Sequence, residues 1–328
     1  MQCRVCGSPE ITFLGNLEYY SGFVWPVFDC IACRCRFSQH RESIYNWLHS
    51  SPTSIYALYR DLAEKSKRLF DRNDLGGLRR ELCATSKYKF IMEAVEEHGK
   101  RSKLLEVGCS RGYFTSYFIL AGYDITGVDA SPGAVQAAHA AFGDHFVEAG
   151  SAAVQERAPY DVIYHAGTIG CVGDPLGLTS ELVRMLAPGG KLVFNAPNAS
   201  GCWRKGQLWL DEAPPPDVVT LFRPGFWQKR FCGVARVEET VELCPSDRAF
   251  TIGVSKLLGR SWQKPVPLPL DASAKCYQNG RPAGSKAQKR LANLLDRGSA
   301  KIGRLTGLVR LAPSQPAPFG LFITMTKL

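Results

Sequence analysis

The sequence predicts a doubly wound α/β fold, in which a mostly parallel sheet carries helices on both of its faces. From Lys103 onward, short apolar runs alternate with stretches of helical periodicity, and such alternation is typical of βαβ units. A glycine-rich segment joins the first apolar run to the first helix of this region. The 328 residues are 45% hydrophobic and 21% charged, which allows more than one domain and excludes a largely disordered chain.

Each element of the α/β region has its own signal. Residues 129–132 predict a helix start with proline in the first turn, and residues 187–190, Ala-Pro-Gly-Gly, predict a helix end. The expected strands cover 104–107, 125–128, 146–147, 162–164, 192–194, 235–243 and 321–326, and the expected helices cover 113–121, 132–142 and 178–186. The last two strands flank a long insertion, 244–318.

The first 100 residues predict two smaller regions. Residues 1–40 contain five cysteines, and residues 41–100 are expected to form a helical connector or lid. Apolar residues recur there at helical spacing, in one group at Ile44, Trp47 and Leu48 and in another at Ile55, Leu58, Tyr59 and Leu62. A further helix is expected over 86–97, and residues 71–74 together with Gly76 and Gly77 are expected to interrupt the helices.

The N-terminal cysteines predict a zinc ribbon over 1–40. Two Cys-x-x-Cys pairs, Cys3 with Cys6 and Cys30 with Cys33, are separated by 23 residues, and four thiolates so spaced suit a tetrahedral, structural Zn²⁺. Cys35 could replace Cys33 as the fourth ligand. We favour Cys33, because Cys35 falls on the expected strand that leads to Phe37. Twelve cysteines are too few for a disulfide scaffold of this length, and a reducing cytoplasm is the expected location.

Residues 104–114, LLEVGCSRGYF, carry the strongest signal for a cofactor. The glycines allow a tight turn and let a ligand approach the backbone amides at the start of the next helix. The following strand ends at Asp129, about 20 residues further on, where a carboxylate can accept hydrogen bonds from both ribose hydroxyls. The pattern therefore predicts a cofactor that contains a nucleoside.

These motifs together resemble the class I S-adenosylmethionine (SAM)-dependent methyltransferases. Residues 121–132, 160–163, 172–175 and 186–193 follow the glycine segment in the family's order and spacing, so the resemblance covers roughly 86–235 and the last strand. The resemblance implies a Rossmann-like, seven-stranded sheet built from residues 101–243 and completed by 319–328. It also implies that SAM is the cofactor.

The resemblance further implies roles for individual residues. Glu106 would steer the SAM amino group, Asp129 would hold the ribose, and Ala130, Gly150 and Ser151 would flank the adenine. The methionine end would be lined by Gly108, Cys109, Ser110, Gly112 and Tyr113. Ser110 replaces the usual middle glycine, and Ser151 stands where many relatives have an aspartate.

A ribbon, a helical connector and a SAM fold in this order resemble two methyltransferase groups. One contains the zinc-containing deoxysugar C-methyltransferases and their relatives, and the other contains zinc-ribbon enzymes that methylate guanine in 23S ribosomal RNA. The first fits better, because residues 30–37 follow its C-x-x-C-x-x-x-F pattern and residues 214–224 echo its P-P-x-H-x-x-x-F segment. Its Glu-His pair is replaced by Gly170 and Cys171, and its later His by Val218, so we favour O-methylation.

The acceptor side offers several candidate residues. His165, at the carboxyl end of the fourth expected strand, is the predicted catalytic base, and a hydrogen-bonded structural histidine is the equal alternative. Further candidates are Asp211, Glu212, Asp217, Tyr19 and Tyr20. We predict methyl transfer to a hydroxyl of a saccharide or other small metabolite, with ribosomal RNA base methylation and a non-catalytic SAM-fold partner as alternatives.

The net charge of +10 lies entirely in one segment. Residues 244–318 contain 13 Lys/Arg against 3 Asp/Glu, and the rest of the chain has 27 of each sign. Within this segment residues 284–311 predict an amphipathic helix, which would pack on the sheet edge, contact the inner membrane surface near a lipid-linked substrate, or bind RNA. RNA is the least favoured partner, and neither a membrane-spanning run nor a secretory signal is expected.

Overall fold

A computed structural model of the protein describes residues 1–18, 23–45, 57–205, 207–210, 215–243 and 318–328. The basic insertion, with the expected amphipathic helix at 284–311, lies outside these residues. So do four of the acceptor-side candidates, Tyr19, Tyr20, Asp211 and Glu212. The strands are β1 Ile11–Glu18, β2 Val24–Cys30, β3 Arg36–Ser38, β4 Lys103–Val107, β5 Asp124–Asp129, β6 Phe146–Glu148, β7 Tyr160–Ala166, β8 Leu186–Pro197, β9 Thr220–Leu221, β10 Ala235–Leu243 and β11 Pro318–Lys327.

The helices alternate with the strands of the α/β region. They are α1 Ala57–Asp71, α2 Leu75–Leu82, α3 Ser86–His98, α4 Thr115–Leu120, α5 Pro132–Phe142, α6 Ala152–Glu156, α7 Pro175–Arg184, α8 Ser200–Lys205 and α9 Phe226–Phe231. Ser131 starts α5 by accepting a hydrogen bond from the Ala134 amide, and proline occupies the first turn, as the sequence predicts. None of the helices that the structure describes is long and apolar enough to cross a membrane.

The central sheet confirms the predicted doubly wound α/β fold. Its seven strands lie in the order β10-β11-β8-β7-β4-β5-β6. Strands β6, β5, β4, β7 and β8 are parallel, and β11 runs antiparallel between β8 and β10. Helices α2, α3 and α4 pack on one face, against Leu104, Tyr164 and Val193, while α7 and α9 pack on the other, against Ile163 and Phe194.

Two turn predictions were wrong. Gly76 and Gly77 lie within α2, because the Asp74 side chain starts this helix by accepting a hydrogen bond from the Gly77 amide at 2.7 Å. Residues 187–190 do not end a helix: α7 ends at Arg184, and these residues form an irregular start of β8. A Cβ on Gly190 would lie only 3.0 Å from the Asp161 carbonyl oxygen, so this close approach of two strands requires glycine.

The N-terminal region forms a second sheet that is joined to the first. Its order is β1-β2-β3-β9, and β9 comes from the stretch that follows β8. Sequence analysis did not anticipate this fourth strand. Val5 and Phe37 of the N-terminal region belong to the same hydrophobic cluster as Ile169 and Trp227 of the α/β region. The two regions therefore share a core, and the N-terminal sheet covers the end of the central sheet at which β7 and β8 terminate.

Candidate active site

The glycine segment forms a tight turn between β4 and α4. The amides of Gly108 and Cys109 both donate to the Val128 carbonyl oxygen, at 2.8 and 3.1 Å. Gly108 has φ +77°, and a Cβ there would lie 2.4 Å from Thr168 Oγ1. Gly112 has φ +73°, and a Cβ there would lie 2.6 Å from the Phe146 ring. Any larger residue at either position would displace its neighbours, so both glycines are sterically required.

Ser110 adopts the backbone conformation that glycine favours. Its φ is +50°, in the left-handed region, where a non-glycine residue is strained by about 1 kcal/mol. Its amide donates to Asp129 Oδ2 at 2.7 Å, and the Ser131 amide donates to Asp129 Oδ1 at 2.8 Å. The Asp129 carboxylate is thus fixed by two backbone amides and retains lone pairs for further donors, while the neighbouring Ala130 is exposed.

Glu106 lies beneath the glycine turn with its carboxylate buried. Its Oε2 accepts hydrogen bonds from Thr115 Oγ1 at 2.6 Å and from the Tyr164 hydroxyl at 3.1 Å. Burial raises the pKa of Glu106 to about 7, although the two hydrogen bonds act in the opposite direction. The group is therefore poised near neutrality, where a nearby positive charge would favour its ionised form.

The other residues expected at the cofactor differ in whether their side chains are buried or accessible to a ligand. The Cys109 side chain is buried against α5 and Phe146, so only its backbone can face a ligand. Tyr113 is also buried: its hydroxyl lies 2.9 Å from that of Tyr88, and its ring stacks on Tyr59. Gly150 is exposed, and the Ser151 hydroxyl starts α6 by accepting from the Ala153 amide at 3.3 Å. An open cleft of about 620 Å³ between α5 and β6 is lined by Pro132, Gln136, His139, Glu148 and Ser151, among others.

A loop at the carboxyl end of β7, residues 167–173, separates the cofactor side from the acceptor side. Thr168 Oγ1 donates to the Val107 carbonyl oxygen at 3.1 Å. The Cys171 thiol donates to the Gly167 carbonyl oxygen at 3.3 Å, and the Tyr45 side chain, from the N-terminal region, lies beside this thiol. On the loop's other flank, the amides of Val219 and Thr220 donate to the Gly170 carbonyl oxygen, at 2.8 and 3.1 Å.

Tyr45 lies between the two sides of this site. Burial raises its pKa well above the usual value, and the nearby groups Cys171, Asp217 and Asp129 raise it further. Burial and the charge of Asp217 also raise the pKa of Tyr59 and of Cys171. Asp217 is thus within electrostatic range of all three groups, and it was one of the predicted acceptor-side residues.

Sequence reasoning missed Tyr45, Tyr59 and Lys87 as functional candidates. Tyr59 was expected only as an apolar contact of a helix, although its ring stacks on Tyr113. Lys87 Nζ donates to the Ala166 carbonyl oxygen at 3.3 Å, directly before the loop 167–173. No motif marks these residues, and helical spacing in 41–100 was the only available signal.

His165 lies in a position unsuited to its predicted role as the base. Its side chain is fully buried, its ring packs against Phe194 with centroids 4.6 Å apart, and neither ring nitrogen has a hydrogen-bond partner among the described residues. Burial lowers the pKa of His165 to about 3, so the imidazole is neutral. A general base must reach the acceptor proton, and this ring instead faces the hydrophobic core. The alternative of a hydrogen-bonded structural histidine also differs from what is observed.

Three positions that carry acid-base residues in the deoxysugar C-methyltransferases correspond here to Gly170, Cys171 and Val218, and they lie close together. A Cβ on Gly170 would lie 2.7 Å from Pro197 Cγ and 3.3 Å from Val218 Cγ1. Gly170 therefore has no room for a side chain in this backbone, and Val218, at the third position, packs against it. Cys171, at the second, is buried.

The four predicted metal ligands form a compact cluster. The Sγ atoms of Cys3, Cys6, Cys30 and Cys33 all lie within 4.8 Å of one another. The Cys3–Cys33 and Cys6–Cys30 sulfur distances are 3.7 and 3.6 Å. A tetrahedral zinc with bonds of about 2.3 Å requires sulfurs about 3.8 Å apart, so the cluster fits Zn²⁺. Cys35 lies outside the cluster, with its thiol directed to the Cys33 carbonyl oxygen.

Comparisons with known proteins agree with the class that the fold and the site define, SAM-dependent methyltransferases. The family model described as "Methyltransferase domain" (Methyltransf_23) matches residues 63–232, more than half of the chain. The chain therefore belongs to this family of methyltransferases. A search of curated proteins finds no match.

Solved structures with a similar fold include several methyltransferases. A SAM-dependent methyltransferase from Archaeoglobus fulgidus has 14% identity and a TM-score of 0.42, with 73% of this chain and 92% of that chain covered. The plantazolicin methyltransferase BpumL, in complex with a triazolic desmethylPZN analog and SAH, has 15% identity and a TM-score of 0.40, with 82% and 97% covered. The YcgJ protein from Bacillus subtilis has 15% identity and a TM-score of 0.38, with 70% and 92% covered.

Proposed function

We propose that this enzyme transfers the methyl group of SAM to a hydroxyl oxygen of a saccharide or other small metabolite. The observation that carries the proposal is the surroundings of Tyr45. Burial raises the pKa of Tyr45 most, and Cys171, Asp217 and Asp129 raise it further, so this hydroxyl lies near groups of both the ribose side and the proposed acceptor side. Methyl transfer requires the cofactor and the acceptor to be bound next to each other, and Tyr45 lies where the two proposed sides are close.

The residues at the carboxyl ends of β4 and β5 fit SAM. The Asp129 carboxylate, fixed by two amides, would accept the ribose hydroxyls, and the turn at 108–112 would hold the methionine end. Glu106 would stabilise the amino group, since a cation nearby favours the ionised form of a carboxyl whose pKa is about 7. Bound SAM supplies a methyl group already activated on a sulfonium, so the protein mainly has to align the acceptor.

Asp217 is the residue that we propose as the proton acceptor. Its carboxylate is within electrostatic range of Tyr45, Tyr59 and Cys171, and its side chain is partly accessible. A positioned carboxylate can take the proton from a hydroxyl as the oxygen attacks the methyl group, a contribution of about 10² to 10⁴ in rate. Tyr45, whose side chain lies beside Cys171, would orient the acceptor next to Asp217.

Two features favour oxygen over carbon as the methyl acceptor. The resemblance to deoxysugar C-methyltransferases requires an acid-base pair at positions 170 and 171, where this chain has Gly170 and Cys171. The contacts of Gly170 with Pro197 and Val218 leave no space for a glutamate side chain. Without that pair, removal of a proton from carbon has no evident base, whereas a hydroxyl needs only one carboxylate.

The cysteine cluster is proposed to hold a structural Zn²⁺ through Cys3, Cys6, Cys30 and Cys33. Four thiolates complete a tetrahedral shell, so no open position would remain for a substrate. Gly7 and Arg34, the residues that follow the two Cys-x-x-Cys pairs, have φ values of +75° and +59°. Their amides donate to the carbonyl oxygens of Cys3 and Cys30, both at 2.8 Å, so the two halves of the cluster have equivalent backbone turns.

The experiment that tests the function is a methyl-transfer assay with isotopically labelled SAM. The acceptor panel comprises free and nucleotide-linked sugars, small phenols and 23S ribosomal RNA, and NMR of the labelled methyl group identifies the bonded atom. We expect an O-methylated sugar or metabolite, and Asp217→Asn to lower kcat by about 100-fold with the SAM Kd unchanged.

The control variant is Asp71→Asn, which changes an exposed carboxylate that pairs with Lys67 at the end of α1, outside the site, and is expected to keep full activity. A C-methylated product would contradict the proposal, as would unchanged turnover in Asp217→Asn. Methylated RNA would support the predicted alternative of a ribosomal RNA methyltransferase. SAM binding without transfer to any member of the panel would support the non-catalytic alternative.

A further inference from the structure

Arg4 links the cysteine cluster to the loop 167–173. It lies inside the first Cys-x-x-Cys pair, between two ligands of the proposed zinc. Its Nη1 donates to the Ser38 carbonyl oxygen at 3.1 Å, and its Nη2 donates to the carbonyl oxygens of Val172 and Gly173 at 2.6 and 3.0 Å. One side chain therefore connects the metal cluster, β3 and a loop nearly 170 residues away in sequence.

The hydrogen bonds of Arg4 are suited to hold the loop 167–173 in one position. The Arg4 guanidinium is charged at neutral pH and offers several N–H donors in one plane. Hydrogen bonds from a charged donor are stronger than neutral ones, and the planar fork of arginine sets their direction. Val172 and Gly173 would lose this donor if the side chain were shortened.

The loop 167–173, held by Arg4, contacts residues on both the cofactor side and the proposed acceptor side. Thr168 fills the space above Gly108 in the cofactor turn, and the Cys171 amide donates to the Thr168 carbonyl oxygen at 2.9 Å. The Tyr45 side chain lies beside the Cys171 thiol, and the Gly170 carbonyl oxygen accepts hydrogen bonds from the Val219 and Thr220 amides in the segment that carries Asp217. A shift of residues 172–173 would therefore move groups on the acceptor side.

We propose that Arg4 is a positioning residue, which uses the metal-loaded cysteine cluster as its anchor to hold the loop 167–173 in place for the acceptor. Ligation of one ion by Cys3 and Cys6 would fix the backbone of Arg4 between them, so metal binding and loop order would be coupled. The acceptor-side consequence rests on the proposed function, but the coupling itself is measurable without any acceptor.

The test is amide hydrogen exchange in the full-length protein, with zinc and after removal of zinc by a chelator. In Arg4→Met with zinc bound, we expect the Cys171 and Val219 amides to exchange about tenfold faster, because the loop loses its charged donor. Arg4→Lys, which keeps a charged donor, should restore part of the protection. Arg41→Met is the matched control, because Arg41 contacts Val24 and Gln39 rather than the loop, and it should leave both amides unchanged.

Zinc removal completes a cycle that separates coupling from general destabilisation. In the wild-type protein zinc removal should accelerate exchange at Cys171 about as much as Arg4→Met does, and in Arg4→Met it should add little more. Equal acceleration by zinc removal in both proteins would overturn the proposal, as would unchanged exchange in Arg4→Met. Loss of zinc by Arg4→Met itself would assign Arg4 to the folding of the cluster and would also overturn it. A failed acceptor screen would affect the proposed function alone.

Discussion

The two sides of the active site are built in different ways. The cofactor side comes from one short stretch, in which β4, the glycine turn, α4 and β5 follow one another and Asp129 lies 19 residues after Ser110. The acceptor side gathers Tyr45, Lys87, Cys171 and Asp217 from four distant parts of the chain. The expected cofactor motif is thus local in sequence, whereas the proposed acceptor side depends on long-range contacts, among them those of the segments that precede β4.

Loss of the metal should disorder the proposed acceptor side and leave the cofactor side folded. This is the largest effect that we expect. Cys33→Ser should lower the zinc content from about one per chain to near zero, because structural zinc contributes about 10 kcal/mol or more to folding of its site. Cys35→Ser should retain the metal, since Cys35 lies outside the cluster. Elemental analysis of the purified variants measures both. Full zinc content in Cys33→Ser would contradict the assignment.

Gly108 in the cofactor turn and Gly122 between α4 and β5 form a matched pair that separates steric from conformational cost. Gly108→Ala places a Cβ 2.4 Å from Thr168 Oγ1 at φ +77°, so we expect a loss of several kcal/mol in stability or an abolished SAM affinity. Gly122→Ala has φ +81° with no atom within 4 Å, so it should cost only about 1 kcal/mol and leave SAM binding intact. Chemical denaturation and calorimetry compare the two. Similar behaviour of the pair would contradict a steric role for Gly108.

Glu106 should make the stability of the protein depend on pH. Its folded pKa of about 7 exceeds the ordinary value of 4.5, so the folded protein binds the proton more tightly than the unfolded chain. Stability from this group is complete below about pH 4.5 and is lost as pH rises to about 7, by roughly 3 kcal/mol in total. Urea unfolding without cofactor should show this slope in the wild type relative to Glu106→Gln. Identical pH profiles would refute it.

His165→Leu should have the smallest effect on stability and turnover. This variant distinguishes the proposed base, Asp217, from the base predicted by sequence, His165. The variant removes two buried nitrogens that have no partner among the described residues, so stability should change by less than about 1 kcal/mol. Methyl transfer should persist once an acceptor is known. Turnover lost with SAM affinity retained would restore His165 as the base.

Sequence patterns predicted the fold and the cofactor side because the relevant contacts are local. Period and turn signals placed the seven strands, and the glycine turn and Asp129 are neighbours across a single βαβ unit. The left-handed backbone of Ser110 was not visible, since serine gives no sign of a positive φ. The irregular start of β8 was missed for a related reason: Pro-Gly-Gly is typical of a helix end and of a strand irregularity alike.

The acceptor side could not be derived in the same way. His165 has the right chemistry at the right strand end, but the direction of its side chain depends on the face of the sheet that it occupies. Tyr45 and Lys87 reach the site through the packing of the N-terminal helices, and the pairing of β3 with β9 depends on residues some 180 positions apart. Spacing within one segment contains no information about such contacts.

The most direct test of the account is calorimetric titration of SAM into the wild-type protein, Asp129→Ala and Asp124→Ala. The two aspartates lie at opposite ends of β5, and Asp124 pairs with Arg157 far from the glycine turn. We predict that the wild type and Asp124→Ala bind SAM alike and that Asp129→Ala binds at least about 30-fold more weakly, a loss of roughly 2 kcal/mol. Equal affinity in all three proteins, or no binding by the wild type, would contradict the account.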